Sequence, residues 1–254
     1  GQFYNASVFG QTDSNGVWIP KTAPTVSYGT NGHFIKFDNS ANMGLDSSGQ
    51  SNNFTTSGSV IQVKDSPTNI YTCMNLLDVV PANSNTFTNV NSSLSTNDSG
   101  SRSTFAPDSG KWYAEAKMPN NTSWLGVQDQ SIYPSALTNS VLLYPAGASM
   151  YVDGSNQGSG GYGSAWSAND IMMIAMDLTS TQKKVYFGKN GGWWNGSDYT
   201  ANSPSTGVNL SNNINYAFRN SSGSGTQTTH WNFGNGYFGT TAVSSAGSNG
   251  NGSV

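Results

Sequence analysis

Hydrophobic and polar positions alternate along this chain in short runs, separated by Gly, Asn, Ser and Pro. The stretch KWYAEAKM (111–118) is the clearest. It sets Trp112, Ala114, Ala116 and Met118 on one side and Tyr113, Glu115 and Lys117 on the other, the period of a half-buried strand. A polar turn and a second apolar run around Trp124, Leu125 and Val127 complete a predicted hairpin whose Trp and Val positions fill a core. The same pattern predicts strands at HFIKF (33–37), SVIQVK (59–64), SVLLYP (140–145) and ASMYVD (148–153). Later ones are DIMMIAMDL (170–178), KKVYFGKNG (183–191), INYAFRN (214–220) and THWNFG (229–234). IMMIAMD is almost continuously apolar, which suits a central strand, with a short helix as the alternative. No segment longer than two turns keeps a 3.6 period. About ten strands at this spacing predict an all-β chain folded as a two-sheet antiparallel β-sandwich.

The regularity fails at both ends and once in between. Residues 1–32 read as a connector that packs by Phe9, Trp18 and Tyr28, 33–240 as the sandwich, and 241–254 as a flexible or truncated tail. Residues 82–104 are rich in Ser, Thr and Asn, with Phe87, Val90 and Leu94 as apolar anchors. An edge-hugging strand or a long loop is expected there. The chain begins at Gly1 and closes on SSAGSNGNGSV, so it is expected to be a piece of a longer or processed protein.

Charged residues make up 9%, the net charge is −3, and Lys and Arg total 10, scattered. That balance argues against a nucleic-acid surface. Aromatics at 12%, seven of them Trp, supply apolar area for a core instead. Cys73 stands alone, so neither an internal disulfide nor a cysteine zinc cage is expected. No run of 18 apolar residues is present to form a membrane-spanning helix.

The residues for catalysis are sparse. His33 and His230 are nearly 200 positions apart, and no G-x-S-x-G turn occurs. Glycoside hydrolysis needs two carboxyl groups flanking the bond, and Glu115 is the sole glutamate. Asp129 with Asp153 or Asp198 is the remaining pair, and nothing in their local sequence favours it. No catalytic residue and no metal ligand is assigned. Glu115 is expected to face outward and pair with a charge on a neighbouring strand. Calcium is the one cofactor weighed. DGSNQG (153–158) echoes the start of a calcium loop but has Ser164 at the twelfth position, and DSSGQSNN (46–53) offers Asp46 with Ser and Asn oxygens.

Four blocks carry a resemblance: GKWYAEAKM, WLGVQD, NDIMMIAMDLTSTQKKVYFGKNGGW and HWNFGNGYF. In this order they resemble a SPRY domain, matching its pattern at Gly110, Tyr113, Glu115, Gly126, Val127, Asp170 and Asp177, and again at Phe187, Asn190, Gly191, Asn232, Phe233 and Gly234. The blocks span 110–234 and imply a bent, concanavalin-like jelly-roll sandwich. Upstream, GVWIPKTAPTVSYGTNGHFIKFDNSANMGLDSSGQSNNFTTSG and VKDSPTNIYTCMNLLD resemble connectors that follow laminin-G-like domains in exterior proteins of tailed bacteriophages. The resemblance implies a non-enzymatic virion protein of the tail-fibre or spike type, on the virion surface and extracellular. Its expected partners are other virion proteins, further copies of itself (a trimer in a tail fibre) and a host-surface glycan or protein. Neither nucleic-acid binding nor membrane insertion is implied. A purely structural module of tail or capsid is the alternative.

In a sandwich that binds, loops at the sheet ends present aromatics and amides. DQSIYPS (129–135), VDGSNQGSGGYGSAW (152–166) and NGGWWNGSDYT (190–200) are such loops. The predicted ligand-binding residues are Tyr133, Asp153, Tyr162, Trp166, Trp194 and Tyr199. Alternation sends one ring of the Trp193–Trp194 pair inward and one outward, and Trp194 is taken as the exposed one.

Overall fold

A computed structural model describes residues 3–14, 16–58, 60, 62, 71–79, 85–89, 93–97, 100–133, 137–158, 160–164, 166–211, 215–222 and 225–243. The chain divides into two compact units, Gly1–Tyr71 and Thr72–Val254. The sequence reading placed its boundary earlier, after residue 32.

In the first unit, helix α1 (Ala6–Phe9) leads into a two-stranded ladder of β1 (Gly10–Thr12) and β2 (Trp18–Pro20). Gly10 lies under the Trp18 ring, which a Cβ, 1.9 Å from it, would push aside. Tyr28 stacks on Phe34 with centroids 5.8 Å apart. HFIKF does not form the predicted strand and contributes one isolated bridge, Ile35 to Asp46. The reason is local. The Asp46 carboxylate accepts from Phe34 N, Ser48 N, Ser48 Oγ and Asn52 N, and so closes a loop on itself. Burial would raise its pKa, but these donors outweigh it and hold the carboxyl well below the usual range. They engage both oxygens of Asp46, the one carboxylate of the calcium reading. SVIQVK lies largely outside the described residues.

The second unit holds the sandwich. In chain order its strands are β3 (Met74–Val79), β4 (Asn85–Thr88), β5 (Ser93–Asn97), β6 (Gly100–Ser103), β7 (Lys111–Lys117), β8 (Ser123–Asp129), β9 (Ser140–Tyr144), β10 (Ser149–Val152) and β11 (Ser155–Asn156). They continue with β12 (Ile171–Asp177), β13 (Lys184–Lys189), β14 (Gly192–Trp194), β15 (Tyr199–Ala201), β16 (Val208–Asn209), β17 (Tyr216–Ser222), β18 (Thr226–Asn232), β19 (Tyr237–Phe238) and β20 (Thr241–Ala242). One sheet runs β11-β10-β9-β8-β17-β6-β3. The other runs β15-β14-β13-β12-β7-β18-β5-β4, with β16 on β13. Every pairing in both is antiparallel.

Alternation fills the space between them. Ala114 and Ala116 of β7, Ile174 of β12 and Trp231 of β18 meet Leu125 and Val127 of β8 and Phe218 of β17 in one core. DIMMIAMDL is therefore a strand and not a helix. Its continuous apolarity follows from burial on both faces, since Met173, on the outer face, is also covered. Trp112 corrects the core assignment: it sits at the mouth of β7, 40% exposed, edge-on to Phe105 at 4.6 Å. Gly126 is needed for close approach, since a Cβ would lie 2.0 Å from the Val141 carbonyl on β9.

The polar stretch 82–104 supplies three strands. Phe87 packs against the core, Leu94 is fully buried, and Val90 lies outside the described residues. β4 ends one sheet, as an edge strand should. β3 ends the other and is strongly bulged: Met74 faces Ser103 and Val79 faces Ser101, so five steps on β3 span two on β6. Of the presumed tail, Thr241 and Ala242 pair with β19, and residues 244–254 lie outside the described set.

Candidate functional site

Four of the six predicted ligand residues come together, but as packing. Tyr162 lies 5.5 Å from Trp194, Trp194 5.4 Å from Tyr199, and Tyr199 5.2 Å edge-on from Trp166. Trp166, Trp194 and Tyr199 are buried, and Tyr162 is half-buried against the core. Burial, then the neighbouring Asp198 charge, pushes the Tyr199 phenol pKa up. Lys189 stands 5.3 Å over the Trp166 ring and pairs with Asp170 at 3.2 Å.

The assignment of Trp194 as the exposed ring is corrected. The two tryptophans do point to opposite faces, in the opposite sense. Trp194 enters the core, and Trp193 lies outside it, covered by Tyr113 at 6.0 Å and only 8% exposed. Alternation sets that the two rings differ, and Trp194 is on the side that packs against Tyr162 and Tyr199.

The other two predicted residues stand apart. Tyr133 is 57% exposed. Asp153 and Gly154, both at positive φ, form the two-residue turn joining β10 to β11. DGSNQG is thus a hairpin turn, and Ser211 Oγ donates to Asp153 at 3.4 Å.

The catalytic alternatives are accounted for by their partners. Glu115 takes a hydrogen bond from the Tyr113 hydroxyl at 2.7 Å and a long one from Asn232 Nδ2 at 3.5 Å, in place of the expected cation. Burial raises its pKa in spite of both bonds. A raised carboxyl pKa stabilises the fold fully below the unfolded value and loses that contribution as pH rises through the folded value. Glu115→Gln is therefore expected to raise Tm at pH 7 and to leave it unchanged near pH 4. Thermal melts at the two pH values check this, and an equal shift at both would contradict it.

Asp129 binds Ser131 and Asn139 in its own loop, and Asp198 binds Tyr199 N and, from another loop, Ser164, so each is held by neutral donors. Ser93 Oγ and His230 Nδ1 are 2.7 Å apart, but Ser93 is 1% exposed, and its other partner is the Asn89 amide, at 2.8 Å. Burial and then Lys117 lower the His230 pKa.

An aromatic cluster with open surface lies elsewhere, on the outer face of the seven-stranded sheet. The Trp124 ring stacks on Tyr151 at 4.4 Å and 27°, and Tyr144 approaches Trp124 at 5.5 Å. All three are half-buried, each keeping part of its surface open. Their neighbours Leu125, Leu143 and Met150 face the core, which turns Trp124, Tyr144 and Tyr151 outward on β8, β9 and β10. Asn156 Nδ2 donates to the Tyr151 hydroxyl at 3.3 Å. The sequence reading placed Trp124 in the core. The usable signal was its parity with Gly126 and Gln128 rather than with Leu125 and Val127.

The same face carries a buried polar knot. Arg102 and Arg219 are cross-strand partners on β6 and β17, 3% and 2% exposed. Arg102 grips Asp78 with two bonds of 2.8 Å and donates to the carbonyls of Asp129 (2.8 Å) and Ile132 (2.6 Å). Arg219 donates to Gln128. Desolvation, then the Arg102 charge, lowers its pKa to about 10 against the pull of Asp78.

No family model and no curated protein matches this sequence. Solved structures similar to the chain include the SPRY domain of human HERC1, at 11% identity and TM-score 0.45, covering 62% of this chain and 96% of that one. A second human SPRY domain is 16% identical with TM-score 0.42, covering 56% and 91%. The TRIM65 PSpry domain is 9% identical with TM-score 0.48, covering 70% and 99%.

Proposed function

We propose that this chain is a non-enzymatic exterior protein of a tailed-phage virion and that its sandwich attaches to a host-surface glycan or protein. The observation that carries the adhesive reading is the half-buried, outward-facing Trp124–Tyr144–Tyr151 cluster on a sheet face. Aromatic anchors on a fixed scaffold bind at small entropic cost, because their positions are already ordered. The phage assignment rests on the resemblance of the connector and of the four ordered blocks. Against catalysis stand the separate neutral partners of Glu115, Asp129 and Asp198. Other virion proteins, or further copies of the chain, would hold the sandwich at the particle surface.

Labelled chain is expected to bind cells within a panel of bacteria, and Trp124→Ala to weaken that binding by at least about tenfold. Circular dichroism verifies the fold of the variant. Unchanged binding by folded Trp124→Ala would remove the cluster from the adhesive reading.

A further inference from the structure

The face around Trp124 is apolar and hydrogen-bonding, with its cations withdrawn from the surface. β9, β10 and β11 contain no charged residue. On β8 the one charge is Asp129, 1% exposed and bound by Ser131 and Asn139. On β17 it is Arg219, 2% exposed beside Gln128. Arg102, at the far side, is spent on Asp78 and two carbonyls. A carboxylated or sulfated ligand seated on this cluster would meet no accessible cation among the described residues. It would lose water without an ionic partner. A protein partner's acidic rim would likewise find no cation to pair with, since the exposed charge at the turn between β10 and β11 is the carboxylate Asp153.

What the face does offer is stacked rings bordered by a phenol and an amide, Tyr151 and Asn156. Pyranose rings pair an apolar C–H surface with hydroxyls at the rim, which matches that division. We propose that the ligand of the Trp124–Tyr144–Tyr151 cluster is an uncharged glycan. The proposal rests on the adhesive reading above and narrows it to one chemistry.

The test uses the full chain on cells of a strain that it binds, in three arms. Periodate, which cleaves vicinal diols of sugars, is expected to abolish binding, and protease treatment of the cells to leave it intact. Raising NaCl to about 1 M, where the Debye length is about 3 Å, is expected to change the affinity less than twofold. Binding that survives periodate, or that protease removes, overturns the glycan. Binding that periodate removes and salt also removes overturns its neutrality and points to an acidic polysaccharide. In each of these cases a weakened Trp124→Ala variant keeps the adhesive reading standing. Unchanged binding by that variant instead sinks the site itself.

Discussion

Arg102→Ala is expected to destabilise the sandwich by about 3–5 kcal/mol. The substitution removes a forked ion pair that is almost wholly out of water, with side chains 3% and 14% exposed. It also strips donors from the carbonyls of Asp129 and Ile132, and leaves Asp78 with Gln130 Nε2 at 3.1 Å as its remaining bond. Three parts of the fold are held by this one side chain: the edge strand β3, the end of β8 and the loop that follows it. Arg102→Lys should recover little, because an ammonium cannot make the same fork. Urea denaturation measures the loss. A change under about 1 kcal/mol would mean that water replaces the pair at little cost. A double replacement, Arg102→Met with Asp78→Leu, should be far milder than Arg102→Ala, since neither charge is then stranded.

Trp231→Ala follows, at about 3–5 kcal/mol. Trp231 has no exposed surface, lies parallel to Phe233 at 5.3 Å and meets Phe218 at 6.2 Å. Removing the indole opens a cavity between the two sheets. Trp231→Phe should cost much less. It keeps a ring against Phe233, and the indole N–H has no hydrogen-bond partner among the described residues, so its loss breaks no bond. Equal destabilisation by both variants, read from urea midpoints, would contradict the stacking account.

The strands whose alternation is strong were legible from the residues: β7, β8, β12, β13 and β18 lie where the pattern put them. What failed did so for physical reasons. β6 reads as loop because Gly-Ser-Arg-Ser has no apolar period, yet all four residues are buried. Their burial is satisfied by hydrogen bonds, such as Ser101 Oγ to Asn75 O and Phe218 N to Ser103 Oγ, and bond partners leave no trace in local sequence. The aromatic loops were found, and Tyr162, Trp166, Trp194 and Tyr199 do converge, but convergence does not say whether a cluster is roofed. Parity separates the faces of a strand without saying which is wet. That is why Trp194 was taken as open and Trp124 as closed.

The bulge in β3 governs how copies of this domain can meet. A flat, regular margin of unpaired N–H and C=O groups is a template for another strand. Here β11 has two residues, β15 three and β4 four, and β3, six residues long, spends five steps where its partner spends two. Each margin is too brief or too crooked to seed a continuous ladder. When many copies are held close together, growth of one sheet into the next is disfavoured, and broad faces and loops are left as the surfaces of contact.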